Sequence, residues 1–241
     1  ILINTAEGIL LMPPDQSPVL LAGQPVSYGT AVDGSVSQAK FMGLREMTRD
    51  TAGNFYLSDG SSIRKIDTDG RVSTYAKNLA KPGKMATDKK GNLYVLDGER
   101  ILQIDSKGST TTLANEPGRY LGGIAVDMSD SVVYAVSSGA PMYSTGLATC
   151  GAIRKVSSGV ISTVAGAPNF PCQHEQYDNV DGNGSSALFA TNVALAISDT
   201  GTIYTADTYG EFGPRYLRQV WRFAATDPAG NVKTISKGSL P

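Results

Sequence analysis

Apolar and polar residues alternate along this chain in short runs, and the runs come in sets. The clearest set is Gly53 to Ala76. Phe55, Tyr56 and Leu57 are strand formers held between Gly53-Asn54 and Asp59-Gly60. In such flanks glycine accepts positive φ, and Asn or Asp bonds back to the local backbone. Ile63 to Ile66 alternates apolar and charged residues, Asp67-Thr68-Asp69-Gly70 turns the chain, and Val72 to Tyr75 adds a third β-branched and aromatic run. Runs of about four to six residues are too short for helices in a globular domain, so the stretch predicts an antiparallel meander.

The set recurs. Gly91-Asn92-Leu93-Tyr94 repeats Gly53-Asn54-Phe55-Tyr56, and Val132-Val133-Tyr134 and Gly201-Thr202-Ile203-Tyr204 follow as third and fourth copies. Downstream of each tyrosine lies a further strand: Ile63 to Ile66, Ile101 to Ile104, Ile153 to Val156 and Leu217 to Val220. The next runs are Val72 to Ala76, Thr111 to Ala114, Ile161 to Gly166 and Val232 to Ile235. Upstream, an apolar run ends near Asp50, Asp88 and Asp127, with Ser198 in the fourth copy. This gives repeats at about 44–77, 84–115, 123–166 and 193–238, plus a partial one at 1–23 that lacks its first strand. Small sheets repeated at this period cannot bury both faces alone. Packing them face to face around an axis does so, which predicts an all-β fold, a β-propeller of four-stranded units. On this reading 1–241 is a single domain, and Tyr56, Tyr94, Tyr134 and Tyr204 occupy like settings.

The runs Asp50 to Asp59 and Asp88 to Asp97 share the pattern D-x-x-G-N-x-Y-x-x-D. Ile63 to Thr74 and Ile153 to Thr163 share I-R-K-[IV] followed by G-x-[VI]-S-T. Two connecting segments, Asp33 to Phe41 and Asp181 to Phe189, share D-G-x4-A-x-F. Together these resemble the NHL-repeat β-propellers, in their extracellular style. The resemblance implies commonly six four-stranded blades, against four complete and one partial unit counted here.

Composition adds exclusions. The 241 residues carry a net charge of −1, so no basic stripe points to nucleic acid and no polybasic run points to an anionic membrane. No apolar run approaches the roughly 18 residues of a membrane span. Neither an initiator methionine nor a signal peptide opens the sequence, so any targeting segment is expected outside it. Cys150 and Cys172, the two cysteines, sit in polar insertions at 141–151 and 167–179 that flank the third repeat. That placement predicts a disulfide on one rim and an extracellular or cell-surface location, the other reading being two free thiols. Asn183-Gly184-Ser185 is a glycosylation acceptor sequence.

Candidate chemistry is sparse. His174, the one histidine, sits beside Cys172 and Glu175, too few ligands for a three-ligand catalytic zinc or for a Ser-His-Asp triad. Asn179 to Gly184 imitates the first half of a calcium loop, but Ala190 stands where the bidentate acid belongs, favouring an inter-blade turn. No metal and no cofactor is expected. Lactonase-type propellers, which the fold resembles, use acids from inner strands, and Glu46 is the one candidate of that kind. Asp59 with Arg64, and Asp207 with Arg218, read as cross-strand ion pairs worth roughly 0.2–1 kcal/mol. The remaining features are exposed aromatics in the insertions and in the 209–216 segment: Tyr143, Phe170, His174, Tyr177, Tyr209, Phe212, Arg215 and Tyr216. Long loops on a rigid scaffold are where recognition concentrates. The favoured function is therefore non-enzymatic: an extracellular interaction or adhesion module binding a protein or glycan through rim loops. The alternatives are a calcium-assisted hydrolase or lyase in the central channel, and a structural subunit whose N-terminal edge strand meets another segment or chain.

Overall fold

The computed structural model describes residues 2–5, 8–11, 17–23, 30–138, 148–168, 171–172, 180–189, 191–212 and 217–239. They are almost all strand, and the chain divides into two compact halves, Ile1–Thr112 and Leu113–Pro241.

In the N-terminal half, β1 (Leu2–Asn4), β2 (Gly8–Leu11) and β3 (Val19–Gly23) form a three-stranded first sheet. The second sheet contains β4 (Gly34–Ser35), β5 (Leu44–Arg49), β6 (Phe55–Asp59), β7 (Ser62–Ile66) and β8 (Arg71–Ala76), in the order β4-β8-β7-β6-β5. The third is the meander β9 (Pro82–Thr87), β10 (Leu93–Asp97), β11 (Arg100–Ile104) and β12 (Thr110–Asn115), the last strand crossing the division. Ile9 and Ala22 of the first sheet pack with Leu44, Leu57, Ile66 and Val72 of the second. On the other face of the second sheet, Tyr56, Ile63 and Ala76 pack with Met85, Leu93, Val95, Leu102 and Ile104 of the third. The first strands of consecutive sheets run side by side, β5 next to β9, and Thr87 donates its hydroxyl to the Arg49 carbonyl at 3.2 Å.

In the C-terminal half, the fourth sheet is β13 (Arg119–Val126), β14 (Val132–Ser138), β16 (Ala152–Ser157) and β17 (Val160–Gly166), with a separate small pair of β15 (Ala148–Thr149) and β18 (Pro171–Cys172). The fifth sheet holds β19 (Gly182–Asn183), β20 (Thr191–Ile197), β21 (Ile203–Phe212), β22 (Leu217–Thr226) and β23 (Asn231–Ser239), in the order β19-β23-β22-β21-β20. Val133, Ile153 and Ala165 pack there against Ile203, Ala224 and Val232. The backbones of β13 and β20 approach so closely that a side chain at Gly123 would meet the Leu195 amide at 2.7 Å.

The D-G-x4-A-x-F segments have one structural job, done twice. Asp33 accepts the Thr74 amide and hydroxyl, each at 3.0 Å, and Asp181 accepts the Thr234 amide at 2.8 Å and hydroxyl at 2.7 Å. The next residues add a two-residue strand to the outer edge, β4 on β8 and β19 on β23. Ala39 and Phe41, like Ala187 and Phe189, are then buried in the core. Burying one such phenylalanine contributes about 1.5–3 kcal/mol, which explains the aromatic at that spacing. Asp181 thus caps a strand, as expected of an inter-sheet turn.

Two expectations need correcting. In β14, Val133 and not Tyr134 stands where Tyr56 and Tyr94 stand, because Asp127 closes its turn on Ser131 as Asp50 does on Asn54. A one-residue slip puts a side chain on the opposite face, and Tyr134 is in a different setting from Tyr56 and Tyr94. Tyr204 keeps the position but not the surroundings, being 45% exposed. In the fifth sheet, Ile203 pairs Thr226 as Phe55 pairs Ile66. The counterparts of Ile63 to Ile66 are therefore Phe223 to Thr226, and Leu217 to Val220 lie farther out along the same hairpin. Asp207 faces Arg222, whereas Arg218 faces Glu211, so the expected Asp207–Arg218 pair is not the cross-strand one.

Candidate functional site

A four-stranded meander has two ends. One carries the first-to-second and third-to-fourth turns. The other carries the second-to-third turn and the connection to the next sheet.

The first end is built from tight turns closed by carboxylates. Asp50 accepts the Asn54 amide at 2.8 Å on one oxygen, and the Asn54 side chain at 2.7 Å and the Tyr56 hydroxyl at 3.1 Å on the other. Asp88 repeats this with Asn92 at 2.8 and 2.7 Å and Tyr94 at 3.0 Å. Asp127, lacking the tyrosine, takes the Lys155 ammonium at 2.6 Å, Lys155 being the residue opposite Val133. Asp67, Asp105 and Asp227 close third-to-fourth turns by accepting amides two and four residues on. Gly53 and Gly91 take φ of +97° and +84° within these turns, which only glycine adopts without strain.

Burial works to raise the acidity constants of Asp50 and Asp88, but the bonds from Asn54 and Tyr56, and from Asn92 and Tyr94, outweigh it and hold both carboxyls below the ordinary range. Folded carboxylates held down in this way contribute stability that is complete above the unfolded pKa of about 3.9 and is lost as pH falls through the lower folded value. The melting temperature should therefore drop steeply on acidification below about pH 4. Asp88→Asn should make that acid limb shallower; an unchanged limb would contradict this assignment.

The second end divides the repeats. In the second and third sheets its hairpins are two-residue turns, with Asp59 opposite Ser62 and Asp97 opposite Arg100. These aspartates anchor the incoming connection: Asp59 accepts the Met42 and Gly43 amides at 2.7 and 2.8 Å, and Asp97 those of Ala80 and Lys81 at 3.1 and 2.6 Å. In the fourth sheet the ladder pauses at Val136–Ala152 and the chain makes an insertion containing β15. A second insertion at the same end contains β18. In the fifth sheet the ladder runs on past Asp207, from Thr208–Trp221 to Phe212–Leu217.

Of the expected binding residues, Tyr209 and Phe212 lie in this extended hairpin, on strand β21 and not in a loop. Tyr143, Phe170, His174, Tyr177, Arg215 and Tyr216 lie outside the described residues. Cys172, on β18, pairs across to Ala148, two residues from the buried Cys150. No described cysteine is a free thiol. Asn183 is exposed at the start of the Gly184–Ser186 3₁₀ turn, with no side-chain capping bond.

Sequence reasoning missed one buried cluster. Glu116, on the connection into the fourth sheet, accepts the Tyr134 hydroxyl at 2.8 Å and lies 3.5 Å from the Arg154 guanidinium. Burial and that hydrogen bond push the Tyr134 phenol well above its usual range. The available signal was weak: one acid ahead of a Pro-Gly turn. Glu46 sits at the bulge between Leu44 and Met47, and its amide donates to the Ser58 hydroxyl at 3.0 Å. Among the described residues no group of three or more His, Cys, Asp and Glu side chains is placed to hold a metal ion. No helix among them is long and apolar enough to cross a membrane.

Repeated four-stranded antiparallel sheets, packed face to face with their first strands adjacent, define a β-propeller, and solved structures agree. The chain is similar to a candidate gluconolactonase at 14% identity, with a TM-score of 0.53, covering 98% of this chain and 70% of that one. It is similar at 11% identity to the extracellular domain of a candidate hybrid two-component system from Bacteroides thetaiotaomicron, with a TM-score of 0.51, covering 99% of this chain and 38% of that one. It is also similar at 12% identity to PorZ, a bacterial surface component of the type-IX secretion system of Porphyromonas gingivalis, with a TM-score of 0.53, covering 98% of this chain and 32% of that one. The chain spans 61% of the structure compared first, a Bacteroides thetaiotaomicron protein of unknown function. No protein-family model and no curated protein matches it. Likeness at this identity establishes the propeller fold.

Proposed function

We propose that this chain is a non-enzymatic, extracellular interaction module of NHL-repeat type, binding a protein or glycan at the second-to-third turns of its third and fourth repeats. The carrying observation is the asymmetry of that end. Two repeats close it with two-residue hairpins, while the other two extend it by insertions and a lengthened ladder. Extra ladder of this kind does not enlarge the sheet core, and rigidly presented aromatics suit recognition. A Cys150–Cys172 disulfide tying the two insertions belongs to this reading. A non-reducing peptide map should recover the two cysteines in one linked fragment.

The test replaces residues 208–221 with a Gly-Ser turn like Gly60-Ser61 and screens both proteins on a glycan array and on intact cell surfaces. Binding should weaken by at least about tenfold, equivalent to about 1.4 kcal/mol, with the melting temperature little changed. Equal binding by the shortened protein would refute the assignment.

One observation favours a second reading. Among the described residues no hydrogen bond or ion pair engages the Glu46 carboxylate, unlike the aspartates of the turns. A calcium-assisted hydrolase using Glu46 would show calcium-dependent lactone hydrolysis that Glu46→Ala abolishes.

A further inference from the structure

The two faces of the fifth sheet differ sharply. Ile203, Ala224 and Val232 are buried against the fourth sheet, whereas the alternate positions Ala194, Ala196, Tyr204 and Phe223 are exposed, Tyr204 at 45% and Phe223 at 46%. Ile235, at the bulge of β23, is 58% exposed. This uncovered face is apolar, with Ala206 and Ala225 filling the positions between.

The repeat itself shows what such a face receives. By register, Tyr204 corresponds to Tyr56, Phe223 to Ile63, and Ile235 to Tyr75 at the same bulge. In the second sheet those positions are closed: Tyr56 is 3% exposed and Ile63 is fully buried. Their cover is the apolar face of the next four-stranded sheet, Met85, Leu93, Val95, Leu102 and Ile104. Tyr56 also stacks edge-on against Tyr75, with ring centroids 5.0 Å apart. Aromatic and aliphatic residues standing at the same register positions are matched to the same kind of cover.

We infer that this face of the fifth sheet is a docking surface for a partner protein that presents an apolar four-stranded sheet of the same repeat type. The contact is side chain to side chain between sheet faces, distinct from the turns proposed above to bind a ligand, and independent of that reading. A solvent-facing sheet surface would carry charged residues at the central positions 204, 206, 223 and 225; here charge enters only at Lys233, toward the outer strand.

The probe is a copy of residues 82–115 appended after residue 241, tethering supplying the partner sheet at high effective concentration. Hydroxyl-radical labelling read by mass spectrometry reports side-chain exposure. In the 241-residue chain Tyr204 and Phe223 should label freely while Tyr56 does not. With the appended sheet, both should fall to the level of Tyr56. A control copy carrying Lys at the positions of Leu93 and Val95 should give no protection, and Phe223→Ser in the appended protein should restore labelling at Tyr204. Unchanged labelling on appending the sheet would overturn the proposal. So would protection already present in the monomeric chain, where the chain covers its own face, or protection only in a concentration-dependent dimer, where a second copy is the occupant.

Discussion

Arg64→Ala is expected to destabilise the N-terminal half by about 3–5 kcal/mol, the cost of breaking a fully buried ion pair by removing one partner. Arg64 has no exposed side-chain surface, and neither has Asp59, its partner at 3.0 Å. The guanidinium also donates to the carbonyls of Lys40 and Val32 at 3.0 and 2.9 Å and to Asp33 at 2.7 Å, with its face over Phe41. One side chain thus ties the D-G-x4-A-x-F segment to the sheet interior. The planar fork makes these bonds together, so Arg64→Lys should recover only part of the loss. The third sheet contains a built-in rescue. There Leu102 occupies the position of Arg64, and the buried Asp97 is paired instead with Arg100, directly opposite, at 2.6 Å. Transplanting that arrangement as Arg64→Leu with Ser62→Arg should restore most of the stability that Arg64→Ala removes. Urea unfolding checks this through the midpoint at constant slope. A midpoint for Arg64→Ala within about 0.5 kcal/mol of the parent, the size of an ordinary surface change, would show the network to be energetically idle.

This result separates what the sequence displayed from what it concealed. The alternation of short apolar runs and turn residues marked nearly every strand of the second and third sheets, because each hairpin there is as short as a ladder allows. The Asp59–Arg64 pairing was also visible, but not its burial. Read as an exposed cross-strand pair it was worth under about 1 kcal/mol; enclosed by Phe41 and the connecting segment it belongs to a different energetic class. The fourth and fifth sheets misled for two reasons. A tyrosine at nearly the right spacing stood in for the repeat tyrosine, although Val133 and Lys155 together replace it: the valine fills the core position and the lysine opposite satisfies Asp127. In the fifth sheet the ladder continues beyond its neighbours, so Leu217 to Val220 alternates like a core strand and only the register with β21 distinguishes them. Period-two patterning marks a strand but not where along its partner it sits.

The misplaced tyrosine leads to the second large effect. Glu116→Ala is expected to cost about 2–4 kcal/mol, between the loss of a buried hydrogen bond and the breaking of a fully buried charge pair. Without the carboxylate, the fully buried Tyr134 hydroxyl loses its acceptor and the largely enclosed Arg154 guanidinium loses its counter-charge. Tyr134→Phe should cost less, about 1–1.5 kcal/mol, because Glu116 keeps Arg154 and only one hydrogen bond disappears. The two losses should not add. Once Glu116 is alanine, removing the hydroxyl deletes a group that is already unsatisfied, so the double substitution should be no worse than Glu116→Ala alone. Had Tyr134 stood where Tyr56 stands, its hydroxyl would belong to Asp127, and Asp127→Ala rather than Glu116→Ala would couple to it. A double-mutant cycle that couples Tyr134 to Asp127 and not to Glu116 would therefore reverse the register assigned to β14.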